Sequence, residues 1–241
     1  MDIDNVKAIY FVGIGGIGMS ALARYFKIMG YHVAGYDKTE SPLTRKMTDE
    51  EEFDITYEDD EARIGEVFRD KTHTLVVYTP AVPKENRILS FFRDNGYALH
   101  KRAEVLGFLS RSKKALCIAG THGKTTTTTM LAFLLKNSHV GCSAFLGGIS
   151  SNYGTNLLID KESDYVVIEA DEYDRSFLHL HPEIAVITAM DADHLDIYGT
   201  HEELLKAFEE FALQTRGQLF LRKGLELKRR EISGHYAAGE K

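Results

Sequence analysis

The chain has 241 residues, room for one large domain or two ordinary ones, and 44% hydrophobic with 27% charged residues is a globular composition. The net charge of -7 argues against a broad nucleic-acid surface, and no stretch approaches the ~20 apolar residues of a membrane span. The opening MDIDNVKAIYFV carries acids where a secretory signal needs positive charge, so the expectation is a cytoplasmic protein with neither nucleic-acid nor membrane partners.

In chain order, continuously apolar runs of strand length fall at 7–12, 31–36, 74–78, 114–119, 164–169 and 183–189. Helical patterns lie between them at 17–29, 86–95, 124–136 and 201–213. Unbroken apolar runs are what parallel strands covered on both faces require, and strand–helix alternation predicts an α/β architecture. The charged helical segment HKRAEVLGFLSRSKK places a domain boundary near residue 110, giving domains 1–110 and 111–241. The acidic run TDEEEFDITYEDDEA reads as a solvated face or loop. GQLFLRKG reads as one more strand, and the residues after it as a loose tail or the start of something unfinished. Cys117 and Cys142 sit in apolar runs without histidine partners at ligand spacing, which points to small buried thiols.

Two glycine loops each follow an apolar run and open a helical pattern. In the first, Gly13, Gly15 and Gly18 fit G-x-G-x-x-G. Gly13 permits a tight turn, Gly15 close backbone approach to a pyrophosphate, and Gly18 close helix–strand packing. Asp37 ends the next strand, where an acid holds a ribose hydroxyl in dinucleotide-binding folds. The motif specifies a pyrophosphate beside a ribose; NAD remains open at this point. In the second loop, Gly120-Thr121-His122-Gly123-Lys124-Thr125 predicts a nucleoside triphosphate site. Lys124 would face the β- and γ-phosphates, and the Thr125 hydroxyl a Mg2+ ion. Ile118 stands where the usual G-x-x-x-x-G-K spacing needs glycine, so this loop is shorter. Glu169, Asp171, Glu172 and Asp174 follow one strand, and Asp191, Asp193, His194 and Asp196 the next, where an open α/β sheet presents its ligand groups. Histidine is unexpected in a plain Mg2+ site and suggests a second divalent ion or a place near the substrate.

Together GIGGIGMSALA, GTHGKTTTT, EADEYDRSFLHL and MDADHLDIYG resemble the Mur ligases, over residues 13 to about 200. Within that family the segments are most similar to the enzymes that join L-alanine to UDP-N-acetylmuramate. The resemblance implies a Rossmann-like first domain that holds a UDP-sugar and a P-loop-type α/β second domain that binds ATP. It implies that the sugar's lactyl carboxylate takes the γ-phosphoryl group to form an acyl phosphate, which the amine of L-alanine attacks. Carried over by motif, Gly120, Thr121, His122, Gly123, Lys124, Thr125 and Thr126 wrap the triphosphate, and Lys124, Glu169 and His194 are catalytic. Thr125, Glu169 and His194 hold Mg2+ or Mn2+. Gly13, Gly15, Gly16, Gly18, Met19 and Ser20 face the diphosphate, with Asp37, Ser41 and Thr44 on the loop after the second strand, near the uridine. A third, C-terminal domain is expected in this family, so the second domain is expected to be incomplete here and the chain alone inactive; a homodimer stays open. Lys206 is the lone lysine on the helix after His194, where related ligases carry a carbamylated lysine. The alternatives are a ligase that recycles intact peptides onto the same sugar, an NAD-dependent oxidoreductase fused to a nucleotide-binding module, and a non-catalytic nucleotide-binding fragment.

Overall fold

The computed structural model describes residues 5–228 and 231–237, which divide into two compact units, Met1–Val105 and Leu106–Lys241.

The first unit is built on a five-stranded parallel sheet. Its strands are β1 (Ala8–Val12), β2 (His32–Tyr36), β3 (Asp54–Thr56), β4 (Thr74–Tyr78) and β5 (Ala98–Lys101), in the order β3-β2-β1-β4-β5. Both faces of β1 are covered, which is why AIYFV is apolar throughout rather than alternating. On one face Tyr10 sits between the rings of Phe68 and Phe92, within a cluster that includes Val12, Tyr36, Val76 and Ile88. The helices are α1 (Ile17–Ile28), α2 (Pro42–Asp49), α3 (Arg87–Asp94) and α4 (Arg102–Ser112), the last of which contains the division between the units. Because β1 lies between β2 and β4, the chain order reverses beside it, and the loop leaving its carboxyl end occupies the switch point where such sheets bind ligands.

The second unit repeats this logic on a larger sheet. Its strands are β6 (Lys114–Ala119), β7 (Ser143–Ser150), β8 (Thr155–Leu158), β9 (Tyr165–Ala170), β10 (Ile184–Ile187), β11 (Gln218–Arg222) and β12 (Gly234–Tyr236). They run in the order β12-β11-β10-β6-β9-β7-β8, parallel except for the β7–β8 pair. Helix α5 (Lys124–Lys136) buries Ala132 against Leu116, Ile118, Ala144 and Val167. The short α6 (Leu195–Tyr198) precedes α7 (His201–Leu213). Thr200 caps α7, accepting from the Glu203 N–H, and Phe208 and Phe211 of that helix clasp Phe177.

Four of the expected elements need correction. The acidic run after Thr48 is not all loop, because Asp54–Thr56 pairs with β2. The tail is not wholly irregular, because Gly234–Tyr236 pairs with β11. The sheet is not all parallel, since SAFLGGIS and TNLL form an antiparallel pair. Pro42 starts a helix, its fixed φ suiting the first turn after the Ser41 cap. Cys117 and Cys142 are buried free thiols, as the sequence suggests. No helix among the described residues is long and apolar enough to cross a membrane.

Candidate active site

The first loop is shaped by positions that only glycine can fill. Gly13 has φ +90°, and a β-carbon there would collide with Thr79. Its N–H and that of Ile14 both donate to the Tyr36 carbonyl, pinning the turn to β2. The Gly15 N–H donates to Asp37 Oδ2 at 2.7 Å, so the acid predicted to meet the ligand also braces the loop. Gly16 and Ile17 are exposed where α1 begins, with no side-chain cap on that helix end. The partial positive charge of this helix start suits an anion. The guanidinium of Arg102 lies directly against Gly18, where any β-carbon would displace it. Arg102 escaped the sequence reading because it is far along the chain; the third glycine of the motif is the signal that something packs there.

Other predicted contacts in this unit turn out to have folding roles. Met19 and Ser20 are buried, and the Ser20 hydroxyl donates to the Ile17 carbonyl within α1. Ser41 and Thr44 form a reciprocal capping box at the start of α2, with Thr44 fully buried.

The second loop leaves β6 at Gly120, whose φ of +133° and contact with Thr188 and the Ala189 backbone exclude a side chain. Gly123, left-handed at φ 82°, starts α5 without a side-chain cap, so its first N–H groups face outward. Thr188 fastens the loop from β10's end, its hydroxyl reaching the carbonyls of Ala119 and His122. Thr121 accepts the Asp191 N–H through its hydroxyl and is buried, whereas His122, Thr125 and Thr126 are exposed.

Lys124 is the centre of the charge arrangement. Its ammonium donates to the Gly120 carbonyl at 2.8 Å and to both oxygens of Glu172, at 2.9 and 2.7 Å. Glu172 has no exposed side-chain surface, and His194 Nε2 lies 3.4 Å from its Oε1. Tyr198 donates its hydroxyl to the Glu172 carbonyl at 2.6 Å, and the Tyr173 ring meets the His194 ring edge-on. The Tyr198 hydroxyl is pushed up to about 12, chiefly by burial. Glu169 stands apart from this group. It accepts from the Thr125 hydroxyl at 2.8 Å and from the Gly147 N–H at 2.9 Å. A β-carbon on Gly147 would overlap that carboxylate, so glycine in β7 makes room for it.

The structure thus brings Thr125 to Glu169 and Lys124 to His194 by way of Glu172. Asp171, Asp174 and Asp196 are exposed, and among the described residues no group of three or more His, Cys, Asp or Glu is gathered to hold a metal. Lys206 is on the surface, paired with Glu203 at 2.6 Å.

Residues 8–114 match the catalytic-domain model of the Mur ligase family, and residues 118–221 match the Mur ligase middle domain. The chain belongs to the Mur ligase family. Each loop lies within one of the two Mur ligase segments. The chain is 57% identical to the UDP-N-acetylmuramate–L-alanine ligase of Phocaeicola vulgatus over 95% of its own length and 50% of that protein's. It is 55% identical to the ligase of the same name from Porphyromonas gingivalis over 91% of its length and 48% of that protein's. It therefore spans about half the length of these relatives. Among solved Mur ligases, the UDP-N-acetylmuramate–alanine ligase of Thermotoga maritima superposes with a TM-score of 0.80 at 30% identity, covering 97% of this chain and 53% of that one.

Proposed function

We propose that the chain supplies the sugar-nucleotide-binding and ATP-binding parts of a ligase that joins L-alanine to UDP-N-acetylmuramate in peptidoglycan precursor synthesis. Residues to about 110 form the UDP-sugar domain, and the residues after them form the ATP-binding part. The observation that carries this reading is the second loop. A lysine and a threonine at an uncapped helix start sit beside a strand-end glutamate, in a chain up to 57% identical to ligases of that activity.

The residues present fit Mg2+. Thr125 Oγ1 and Glu169 Oε1 are hard oxygen donors 2.8 Å apart on the exposed side of the loop, the donor chemistry this ion prefers. When bound, the ion would offset charge on the phosphate oxygens. His194 would hold a second divalent ion, Mg2+ or Mn2+. Lys124 points a cation at the transferring phosphoryl group, and the outward N–H groups of Gly123 to Thr126 hold the phosphates in place. The carboxylate of the sugar and the triphosphate repel each other, so this positive charge and positioning are what the protein contributes. In the first unit, the amides of Gly16 and Gly18 and the Arg102 guanidinium receive the diphosphate, which approaches closely over Gly15 while the Gly15 amide stays braced by Asp37. The roles of Met19, Ser20 and Thr44 reduce to shaping that surface.

The peptide-recycling reading is disfavoured by degree. Among solved structures, the UDP-N-acetylmuramate:L-alanyl-gamma-D-glutamyl-meso-diaminopimelate ligase of Neisseria meningitides superposes with a TM-score of 0.78 at 25% identity, against 0.80 at 30% for the alanine ligase of Thermotoga maritima. Thermal-shift titration of the chain with UDP-N-acetylmuramate, NADH and Mg-ATP in separate arms tests the assignment. The expected outcome is stabilisation by the sugar nucleotide and by Mg-ATP. Micromolar binding of NADH with none of the UDP-sugar would overturn it.

A further inference from the structure

Within the acidic run that follows β9, Glu172 is the member that turns inward. Asp171 closes a turn by accepting the Tyr173 N–H and leaving its own carbonyl to the Phe177 N–H. Asp174 and Arg175 then take left-handed backbone angles, φ 54° and 56°, which a non-glycine residue adopts at some cost. That contorted turn directs Glu172 under the loop while its neighbours stay exposed.

The consequence is a conflict of charge. All three N–H bonds of the Lys124 ammonium are committed, one to Gly120 and two to Glu172. A phosphate oxygen reaching Lys124 must displace one of them, and it does so beside a carboxylate with no exposed surface. His194 Nε2, 3.4 Å from Glu172 Oε1, is the nearby group able to take a released oxygen. His194 is itself held in a left-handed conformation at the start of α6, its N–H donating to Asp193.

We propose that Glu172 is a positioning residue that competes with nucleotide phosphates for Lys124. On nucleotide entry its Oε1 passes from Lys124 to His194, while Oε2 keeps the ammonium aimed. No covalent bond changes; one hydrogen bond is exchanged for another, and one lysine N–H is freed. This rests on the nucleotide-loop reading given above.

The test is equilibrium binding of ATP to the chain, by calorimetry, with Mg2+ and again with chelator in place of divalent ions. Glu172→Gln removes the competing charge, and its carbonyl still accepts from Lys124 while its amide faces His194. It should bind ATP about tenfold more tightly in both conditions, as expected for removing one like charge from a poorly solvated phosphate site. Glu172→Asp keeps the charge and should stay within about twofold of the parent. A residue with only a structural role would weaken binding or leave it unchanged when replaced by glutamine, and either result overturns the proposal. Should Glu172→Gln fail to fold, His194→Gln without divalent ions decides: weaker binding supports the exchange, and unchanged binding overturns it. The broader reading fails on a different pattern, in which Lys124→Ala binds ATP as well as the parent or the parent binds none.

Discussion

The two glycine loops share a plan and differ in where their charge is kept. Both leave a central parallel strand at a switch point and open a helix that lacks a side-chain cap. In the first, the brace is a carboxylate on a backbone amide, Asp37 to Gly15, and Arg102 lies beside the third glycine. In the second, a lysine is clamped by a carboxylate buried beneath it, with a histidine alongside. A loop that only holds a diphosphate needs shape and open amides. A loop that assists phosphoryl transfer needs a cation held at a fixed point, and a buried counter-ion fixes it.

The largest expected effect separates the loops outright. Lys124→Ala leaves Glu172 buried without its cation, and breaking a buried pair from one side costs about 3–5 kcal/mol. Urea denaturation should show that loss in the second unit, and adding Glu172→Gln should recover most of it. In a full-length ligase the same change should lower turnover by about 10²-fold or more, with UDP-sugar binding unaltered. Near-normal turnover would mean that the catalytic loop has been misassigned.

Next come the glycines, which distinguish folding from ligand approach. Gly120→Ala forces a β-carbon into Thr188 at φ +133° and should destabilise by about 1–3 kcal/mol. Gly16→Ala meets nothing closer than 3.7 Å at an exposed extended position, so stability should stay within about 0.5 kcal/mol. Its methyl group stands on the proposed diphosphate surface, and affinity for UDP-N-acetylmuramate should drop. Comparing melting and binding for the two variants checks both halves; a Gly16→Ala protein that binds normally would remove this end of α1 from the site.

This contrast also marks what could be read from the chain. The loops were legible because glycines at fixed offsets between an apolar run and a helical pattern leave few backbone alternatives. Strands β1, β4, β6 and β9 were legible because burial on both faces demands nearly unbroken apolar runs, and β2, β10 and β11, which are less completely buried, because their runs are still largely apolar. β7 was not, since Gly147 and Gly148 interrupt SAFLGGIS, and one of those glycines serves Glu169 rather than the strand. β3 and β12, three residues each, are too short to show a period. The division of labour between Glu169 and Glu172 was illegible for another reason. Spacing along EADEYD cannot show that a left-handed turn at Asp174 and Arg175 sends one acid under the loop and leaves its neighbours in water.

A smaller effect probes the support beneath Glu172. Tyr198→Phe loses the hydroxyl donated to the Glu172 carbonyl and should cost about 1 kcal/mol at neutral pH. The pH dependence has a definite sign. Burial raises this hydroxyl from 10.0 to about 12, so the folded protein retains its proton where the unfolded chain begins to lose it. The associated stability is complete below pH 10 and disappears as pH rises through about 12. Denaturation midpoints across that interval should fall less steeply for Tyr198→Phe than for the parent; equal slopes would show that Tyr198 titrates normally.

The smallest expected effect falls on the residue whose position in sequence most resembles a catalytic one. Lys206 follows His194 on the next helix, where related ligases carry a modified lysine. Modification of that kind needs a lysine that is shielded and stripped of its proton beside a metal. Here the side chain is 70% exposed and bonded to Glu203 one turn back on α7, and that contact holds its pKa above the usual lysine value. An ammonium so placed stays charged and solvated, and an exposed pair of this type contributes little to stability. Lys206→Ala should therefore leave the melting temperature, ATP binding and, in a full-length ligase, turnover unchanged. A large loss of turnover that bicarbonate or short-chain acids restored would show that Lys206 leaves Glu203 during the reaction, and the metal-binding group would then need a member that the present geometry keeps outside it.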